Sequence, residues 1–384
     1  MNVPKIDHNV LGFINRWDTV QIALSIYDPT GSYARHAGAT MVSIFANTSA
    51  SVCIHILHDD TLIQDNRDHL RKIANEYQQD IQFHQVKLTN MLLSLQCGKL
   101  TQGTLFRLLV PNILRERRII YLDCDVIVDL DIEELWRISV TGYPLAAVLD
   151  GTLHGGISCW EEKDISIIKR NGIKLEKYFN AGVLFLNLEY LREHHNLVQE
   201  ASHFLATHES VYMDQDALNF IFQQKFLQLD DVFNSMTMIK GTCNGNGRIW
   251  HWAGQKPWNG FTGMIDILYW HYLSLTPWNN EARAFFSILS NIESSTVLGK
   301  KIIVFGAGSC GERIWRQLPV PIQYFVDNNK TKWGGTLQGI PVLSPECLHE
   351  EDKNGVIVIV GSQYYSEIVK QLIDMGFKKF INFM

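Results

Sequence analysis

The segment Ile119-Ile120-Tyr121-Leu122-Asp123-Cys124-Asp125 is an apolar run that stops abruptly in two carboxylates one residue apart. Such a run reads as a buried strand, and a strand covered on both faces belongs to a sheet sandwiched between helices. Side chains i and i+2 of a strand share a side, so Asp123 and Asp125 can converge on one divalent cation where the sheet ends. Open parallel sheets bind ligands beyond the carboxyl ends of their strands. Mg²⁺ and Mn²⁺ take one or two protein carboxylates and complete their shells with phosphate oxygens and water. A solvated loop after a buried strand has the same tripeptide, so the neighbouring segments must decide.

Those neighbours alternate. Val20 to Tyr27 reads as a strand, Asp28-Pro29-Thr30-Gly31-Ser32 as a turn, and Ala37 to Ala46 as a helix. Strands at Val52 to Leu57 and Ile81 to Val86 bracket an amphipathic helix at Ile63 to Tyr77. A helix at Gly103 to Leu114 leads into the strand Arg118 to Leu122. This β-α-β order predicts an α/β fold, a mostly parallel sheet with helices on both faces. Further on we expect a short helix around Trp136, a strand Leu145 to Leu149 ending at Asp150, and an irregular excursion over 151–176. A strand Gly182 to Leu188 and helices Leu191 to Leu205 and Asp214 to Gln223 follow.

At 384 residues the chain exceeds one ordinary domain. The small, polar stretch 290–299 separates a second α/β unit, with strands at Lys300 to Phe305, Ile322 to Val326 and Val356 to Val360 and helices at Ile314 to Leu318 and Ser366 to Met375. The expected domains are therefore 18–290 and 299–384. A net charge of -6, with no Lys/Arg stripe, argues against nucleic acid as a partner. Seven scattered cysteines without a Cys-x-x-Cys pair argue against a disulfide framework and a structural zinc site, and for a reducing cytoplasm. Met1 to Asp18 has no apolar h-region, against a secretory signal, and no run approaches the ~18 apolar residues that span a bilayer.

Four more segments stand in a telling order: Tyr33-Ala34-Arg35-His36, Phe179-Asn180-Ala181-Gly182-Val183, Asp214-Gln215-Asp216-Ala217-Leu218-Asn219 and His251-Trp252-Ala253-Gly254-Gln255-Lys256-Pro257-Trp258. With the Asp-x-Asp motif, they make the chain resemble the retaining family-8 glycosyltransferases, which include glycogenin and bacterial lipopolysaccharide galactosyl- and glucosyltransferases. The resemblance covers residues 20–275 and says nothing about 299–384. It implies a GT-A-type domain moving galactose or glucose from UDP-galactose or UDP-glucose to a glycan, lipid-linked or protein-linked acceptor.

By that resemblance Asp123, Asp125 and His251 hold the metal, and their mixed oxygen and nitrogen ligation suits Mn²⁺ better than the harder Mg²⁺. Ala23, Ser25, Asp28 and Tyr33 map onto the nucleoside-binding loop, although Asp28-Pro29-Thr30-Gly31-Ser32 departs from the family's Asp-Asn-Tyr spacing. Asp123 and Cys124 face the donor diphosphate. Gly254 lets backbone approach the phosphates, and Lys256 adds positive charge for the departing UDP. Arg107 matches an arginine at the donor sugar and phosphate, while Asp150, Asn180, Asp214 and Gln215 match positions at the sugar hydroxyls or the anomeric carbon. Because the residue facing that carbon is an amide, Gln215, front-face attack is the implied retaining mechanism, with Asp214 orienting rather than attacking.

Two features lie outside this pattern. The segment 250–278 carries Trp250, Trp252, Trp258, Trp270 and Trp278, open to three readings: sugar-stacking walls, peripheral contact with the inner face of the cytoplasmic membrane, or helix packing. The motif Gly306-x-Gly308-x-x-Gly311, with Asp327 ending the next strand, suits a dinucleotide site. The unit is only half the size of such a fold, and it resembles small Rossmann-like domains appended to bacterial sugar-modifying enzymes. Structural, acceptor-related and homo-oligomer roles stay open beside a bound nucleotide. The rival readings of the chain are a sugar nucleotidyltransferase, whose glycine- and arginine-rich phosphate loop residues 22–36 do not supply, and a non-catalytic nucleotide sensor working through the C-terminal domain.

Overall fold

The computed structural model describes residues 19–88, 101–154, 160–237, 248–254, 256–259, 265–291, 301–317, 321–362, 364–377 and 380–382. The N-terminal segment 1–18 and residues 292–300, on which most of the expected linker 290–299 and the first residue of the expected strand fall, lie outside them, while 290 and 291 end the helix Asn279–Asn291. The chain divides into two compact units, Met1–Ser235 with Asn244–His251, and Met236–Cys243 with Trp252–Met384.

The first unit is built on strands β1 (Val20–Ile26), β2 (Val52–His58), β3 (Asp80–Gln85), β4 (Ile119–Leu122), β5 (Val126–Val128), β6 (Leu145–Leu149), β7 (Phe179–Leu186) and β8 (Leu227–Gln228). All but β5 form one sheet in the order β3-β2-β1-β4-β7-β6-β8. The strands β1, β2, β3 and β4 run parallel, and so do β6 and β8. Only β7 runs against its neighbours β4 and β6. Every residue of β2, β4 and β7 is buried, as expected of a sheet covered on both faces. Helices α1 (Ala34–Ala46) and α2 (Gln64–Glu76) stand where the alternation put them, although α1 begins three residues earlier than Ala37.

Several boundaries differ, each for a local reason. The Asp-x-Asp pair does not lie within a strand: Asp123 and Asp125 occupy the turn between β4 and the unforeseen β5. The segment Gly103 to Leu114 is a 3-10 turn, Gln102–Leu109, running into a short α-helix, Val110–Ile113. The excursion over 151–176 contains a regular helix, Glu162–Arg170, started by a capping box between Glu161 and Asp164 that the sequence reading passed over. Leu191 to Leu205 is two helices, Leu188–His194 and Leu197–Thr207, because Asn196 accepts from the Gln199 amide and restarts the chain. Strand β7 begins at Phe179 rather than Gly182, which places Asn180 inside the sheet.

In the second unit, Trp252 donates from Nε1 to Asp266 Oδ1 at 2.6 Å, and Trp270 stacks on Phe285 with centroids 4.7 Å apart. Trp252 and Trp270 are buried there, and Trp250 is buried in the first unit, so these three rings serve packing. The C-terminal sheet has its parallel strands in the order Ile340–Leu343, Ile322–Val326, Lys301–Phe305, Val356–Val360 and Phe380–Asn382, with Thr336–Leu337 antiparallel at the edge. Ile302 and Val304 enter one apolar cluster and Ile303 and Phe305 another, so both faces are covered. Gly306 has φ +116°, and an added Cβ would lie 2.3 Å from Gly361 O. A Cβ on Gly311 would meet Gly306 O at 1.9 Å, so packing requires Gly306 and Gly311, whereas a Cβ on Gly308 would meet only Lys332 Nζ at 3.8 Å.

A buried polar cluster in the sheet gives a test of stability. His55 lies fully buried on β2, with Nε2 2.8 Å from Gln21 Oε1 and Nδ1 3.0 Å from His84 Nε2. Gln21 donates its amide to Thr19 O, so its oxygen accepts and His55 carries its proton on Nε2. Burial pushes His55 down from 6.5 to about 4, against the pull of Glu116 and assisted by His84. The unfolded chain therefore takes the proton first, and stability falls as the pH drops from 6.5 towards 4. We predict that His55→Leu removes on the order of 3 kcal/mol of that acid-dependent loss, read as the difference between urea unfolding free energies at the two ends of the range.

Candidate active site

The strand order gathers the polar residues at one edge. The carboxyl ends of β4 and β6 point the same way, and antiparallel β7 brings its amino end to meet them. Asp123 thus follows β4, Asp150 follows β6, and Asn180 to Gly182 open β7. The Asp123 amide donates to Gly182 O at 2.8 Å, extending the β4-β7 ladder to the carboxylates. The helix Asp214–Phe222 is fixed to the same edge by Asn219, whose amide accepts from Phe179 N and donates to Phe179 O, both at 2.8 Å. The segment Ile249–His251 pairs antiparallel with β5, His251 opposite Val126. Ligand atoms of Asp123, Asp125 and His251 lie within 4.8 Å of one another.

Each ligand has a defined hand. Asp123 Oδ1 accepts from Arg107 Nη2 at 2.8 Å and from Tyr121 OH at 3.2 Å, which leaves Oδ2 facing the cluster. His251 Nε2 lies 3.5 Å from Asp125 Oδ1, and its Nδ1 lies 2.8 Å from Asn234 Oδ1. Between them Gly182 keeps a cradle open: a Cβ there would sit 2.3 Å from His251 Cε1, 2.9 Å from Nε2 and 3.0 Å from Asp123 Oδ2. Two carboxylates and an imidazole around a gap that one methyl would fill suit a divalent cation of the Mn²⁺ kind.

Arg107 is buried, and protein groups occupy it: Asp123, Asp214 Oδ2 at 2.9 Å, Thr104 O at 3.2 Å and Ala181 O. Its guanidinium also covers the Tyr121 ring at 4.8 Å. It bridges two carboxylates, Asp123 and Asp214. Asp214 is held by burial with a raised carboxyl titrating at about 6, even though Arg107 opposes the shift and Asp123 reinforces it.

Beside this bridge runs a network of amides. Gln215 Oε1 accepts from Ala181 N at 2.9 Å, while Nε2 donates to Asp150 Oδ2 and to Tyr178 OH, both at 3.2 Å. Asn180 donates to the same Asp150 oxygen at 3.4 Å. Asp150 Oδ1 accepts from the Thr152 amide and hydroxyl, and Thr152 Oγ1 accepts from Trp160 Nε1 at 2.8 Å. Buried Asp216 secures the entry to the helix, taking Tyr178 OH on one oxygen and Ser210 Oγ, Val211 N and Tyr212 N on the other. At that entry Met213 adopts φ 44°, a turn conformation in which a side chain is strained.

The remaining sequence-derived residues are placed less uniformly. The Tyr33 phenol is pushed well up by burial and then by Cys124, Asp125 and Asp123, which puts it in their field. Cys124 is buried with Sγ towards Ser25 O at 3.3 Å. Ala23 and Ser25 are buried in β1, and Ala23 belongs to the apolar core. Asp28 caps α1, accepting from Tyr33 N at 2.6 Å, Ala34 N at 3.2 Å and Asn66 Nδ2 at 2.9 Å. Gly254 and Lys256 belong to the second unit, where Lys256 Nζ donates to Trp252 O at 2.6 Å; Gln255 lies outside the described residues. Asp327 accepts from Ala307 N, Asn329 N and Lys332 Nζ at 2.7–2.8 Å, so the glycine loop itself occupies the acid expected at a ribose.

Residues 25–262 match the protein family described as Glycosyl transferase family 8, and residues 298–380 match one described as C2185-like, N-terminal. General stress protein A of Bacillus subtilis (strain 168) is 28% identical over 256 residues, 60% of this chain and 85% of that protein. The lipopolysaccharide 1,2-glucosyltransferase of Escherichia coli (strain K12) is 28% identical over 243 residues, 60% of this chain and 66% of that protein. The solved galactosyltransferase LgtC, in complex with donor and acceptor sugar analogues, superposes with a TM-score of 0.58 at 20% identity, covering 67% of this chain and 96% of its own. The WbbM bifunctional enzyme follows with 0.57 at 19%, covering 69% and 51%. These likenesses establish a GT-A-like fold.

The bridge makes a stability prediction. Removing the guanidinium leaves the buried Asp214 carboxylate unpaired beside the partly exposed Asp123, so Arg107→Leu should cost about 3–5 kcal/mol in urea unfolding at pH 8. The loss should shrink as the pH falls towards 6, where Asp214 takes up a proton.

Proposed function

The chain belongs to glycosyltransferase family 8, and on that premise we propose that it moves a hexose, galactose or glucose, from a UDP-sugar to a glycan, lipid-linked or protein-linked acceptor, with retention of configuration. The observation that carries this reading is the cradle of Asp123, Asp125 and His251 kept open by Gly182 at the carboxyl edge of the sheet. A bound Mn²⁺, or Mg²⁺ in its place, would neutralise the diphosphate as it leaves. In this reading residues 18–290 are catalytic and the Rossmann-like 299–384 is accessory. Occupation of Asp327 by its own loop speaks against the nucleotide-sensing alternative. Among the described residues no helix is long and apolar enough to cross a membrane and four cysteines are free, in keeping with work in the cytoplasm or at the membrane's inner face.

The residues around the proposed anomeric position support front-face attack. A double displacement needs a carboxylate free to bond to carbon. Asp214 is tied to Arg107 and set back in the core. Gln215, half-buried, is an amide whose two ends are held by Ala181, Asp150 and Tyr178. A rigid amide can direct its oxygen's second lone pair at developing positive charge without forming a bond. Tyr178 and Asp150 hold the Nε2 end of that amide in one rotamer.

Hydrolysis of a panel of UDP-sugars with Mn²⁺ tests the donor and the metal together. We expect one hexose donor to turn over and excess chelator to abolish it; turnover that survives exhaustive metal removal would overturn the metal reading. Gly182→Ala should lower turnover at least ~10-fold through misplacement of His251, while the metal-free protein still unfolds cooperatively. NMR of the first-formed product should show the donor's anomeric configuration, and an inverted linkage would refute the mechanism.

A further inference from the structure

Asn234, which no motif contains, lies behind the cluster. It follows the turn Asp231–Phe233, whose start is capped by Asp230 accepting from Val232 N at 3.1 Å. Ser235 Oγ donates to Asp231 O at 2.8 Å and accepts from Arg248 at 3.1 Å, so the Asn234 backbone is fixed from both sides. Its side chain is buried, with Nδ2 2.9 Å from Asn180 Oδ1 and Oδ1 2.8 Å from His251 Nδ1.

The polarity of these bonds is determined. Asn180 Oδ1 accepts from the Gly182 amide at 2.9 Å, so the group that Asn234 turns to it must be the NH₂. The carbonyl end then faces His251, and Nδ1 must carry a proton to meet it. Donors run in one direction, from His251 to Asn234, to Asn180, and from Asn180 to Asp150, which also takes Gln215. With the proton on Nδ1, the lone pair of Nε2 faces the gap. Without Asn234, Asp125 at 3.5 Å favours the other tautomer, whose Nε2 proton points at the carboxylate and blocks ligation.

We propose that Asn234 is a positioning residue that locks His251 in the metal-binding tautomer and joins it through Asn180 to the acid anchoring Gln215. The inference rests on the metal reading above. Ligands of this type are commonly oriented by a hydrogen-bond acceptor on the second ring nitrogen, and removing it weakens metal binding about 10–100-fold.

The test compares Asn234→Ala with Asn234→Asp, which keeps the acceptor and gives up the donor. Free Mn²⁺ is read by electron paramagnetic resonance in titrations with Mn²⁺ alone and with UDP present, on protein whose metal-free thermal transition is cooperative. Asn234→Ala should bind about 10–100-fold more weakly, and Asn234→Asp within about threefold of the parent. Parent-like affinity in Asn234→Ala would overturn the inference and spare the metal reading, as would an Asn234→Asp as weak as Asn234→Ala. If Asn234→Ala does not fold, the Asn234→Asp affinity decides alone, parent-like binding supporting the inference and weak binding overturning it. A parent protein that binds no Mn²⁺ overturns both.

Discussion

A buried guanidinium decides whether the acidic edge of this sheet can exist. Asp125 and Asp214 are buried and Asp123 beside them is partly exposed, and Arg107 reaches both Asp123 and Asp214 while donating to Ala181 O. A lysine has the charge but not the fork; a point-like ammonium cannot serve two carboxylates and a carbonyl in one plane. Burial works against the arginine's charge, and the two acids outweigh it, so its pKa lies above its ordinary value. With Oδ1 of Asp123 committed to this bridge, the opposite oxygen is left for an incoming ion.

The amide network depends on the same arrangement. Asp150 is buried among the donors Thr152, Asn180 and Gln215. A carboxylate saturated in this way tolerates burial, because each lone pair meets a proton. Its charge sets the direction of every amide leading to it, and rotation of one amide would break bonds at both ends.

Much of this was legible in the sequence. Alternating apolar runs gave the parallel strands, and the abrupt end of Ile119–Leu122 in acids located the site edge. The hidden parts depended on pairing across long sequence separations. Nothing near Asn180 reveals that β7 runs antiparallel and begins at Phe179. A lone Asn234 in a polar stretch carries no pattern; a sequence search for an amide upstream of His251 would have had several to choose from. The capping role of Asp28 was hidden because its partners Tyr33 and Ala34 lie at an offset unlike an ordinary N-cap, and Asn66 comes from another helix. The glycine motif left a nucleotide loop and a structural turn both open, and close backbone packing at Gly306 and Gly311 accounts for two of its three glycines.

The placement of His251 beside β5 also has a consequence in time. Asp123 and Asp125 leave the ribosome with the first half of the chain, and β1 to β4 can pair as soon as Leu122 is out. The imidazole arrives only after β7, the helix at Asp214 and the turn holding Asn234 have been made. A nascent chain therefore carries an acidic, half-built edge for about a third of its synthesis, from residue 125 to residue 251 of 384, and acquires the imidazole when the bonds that orient it are already available.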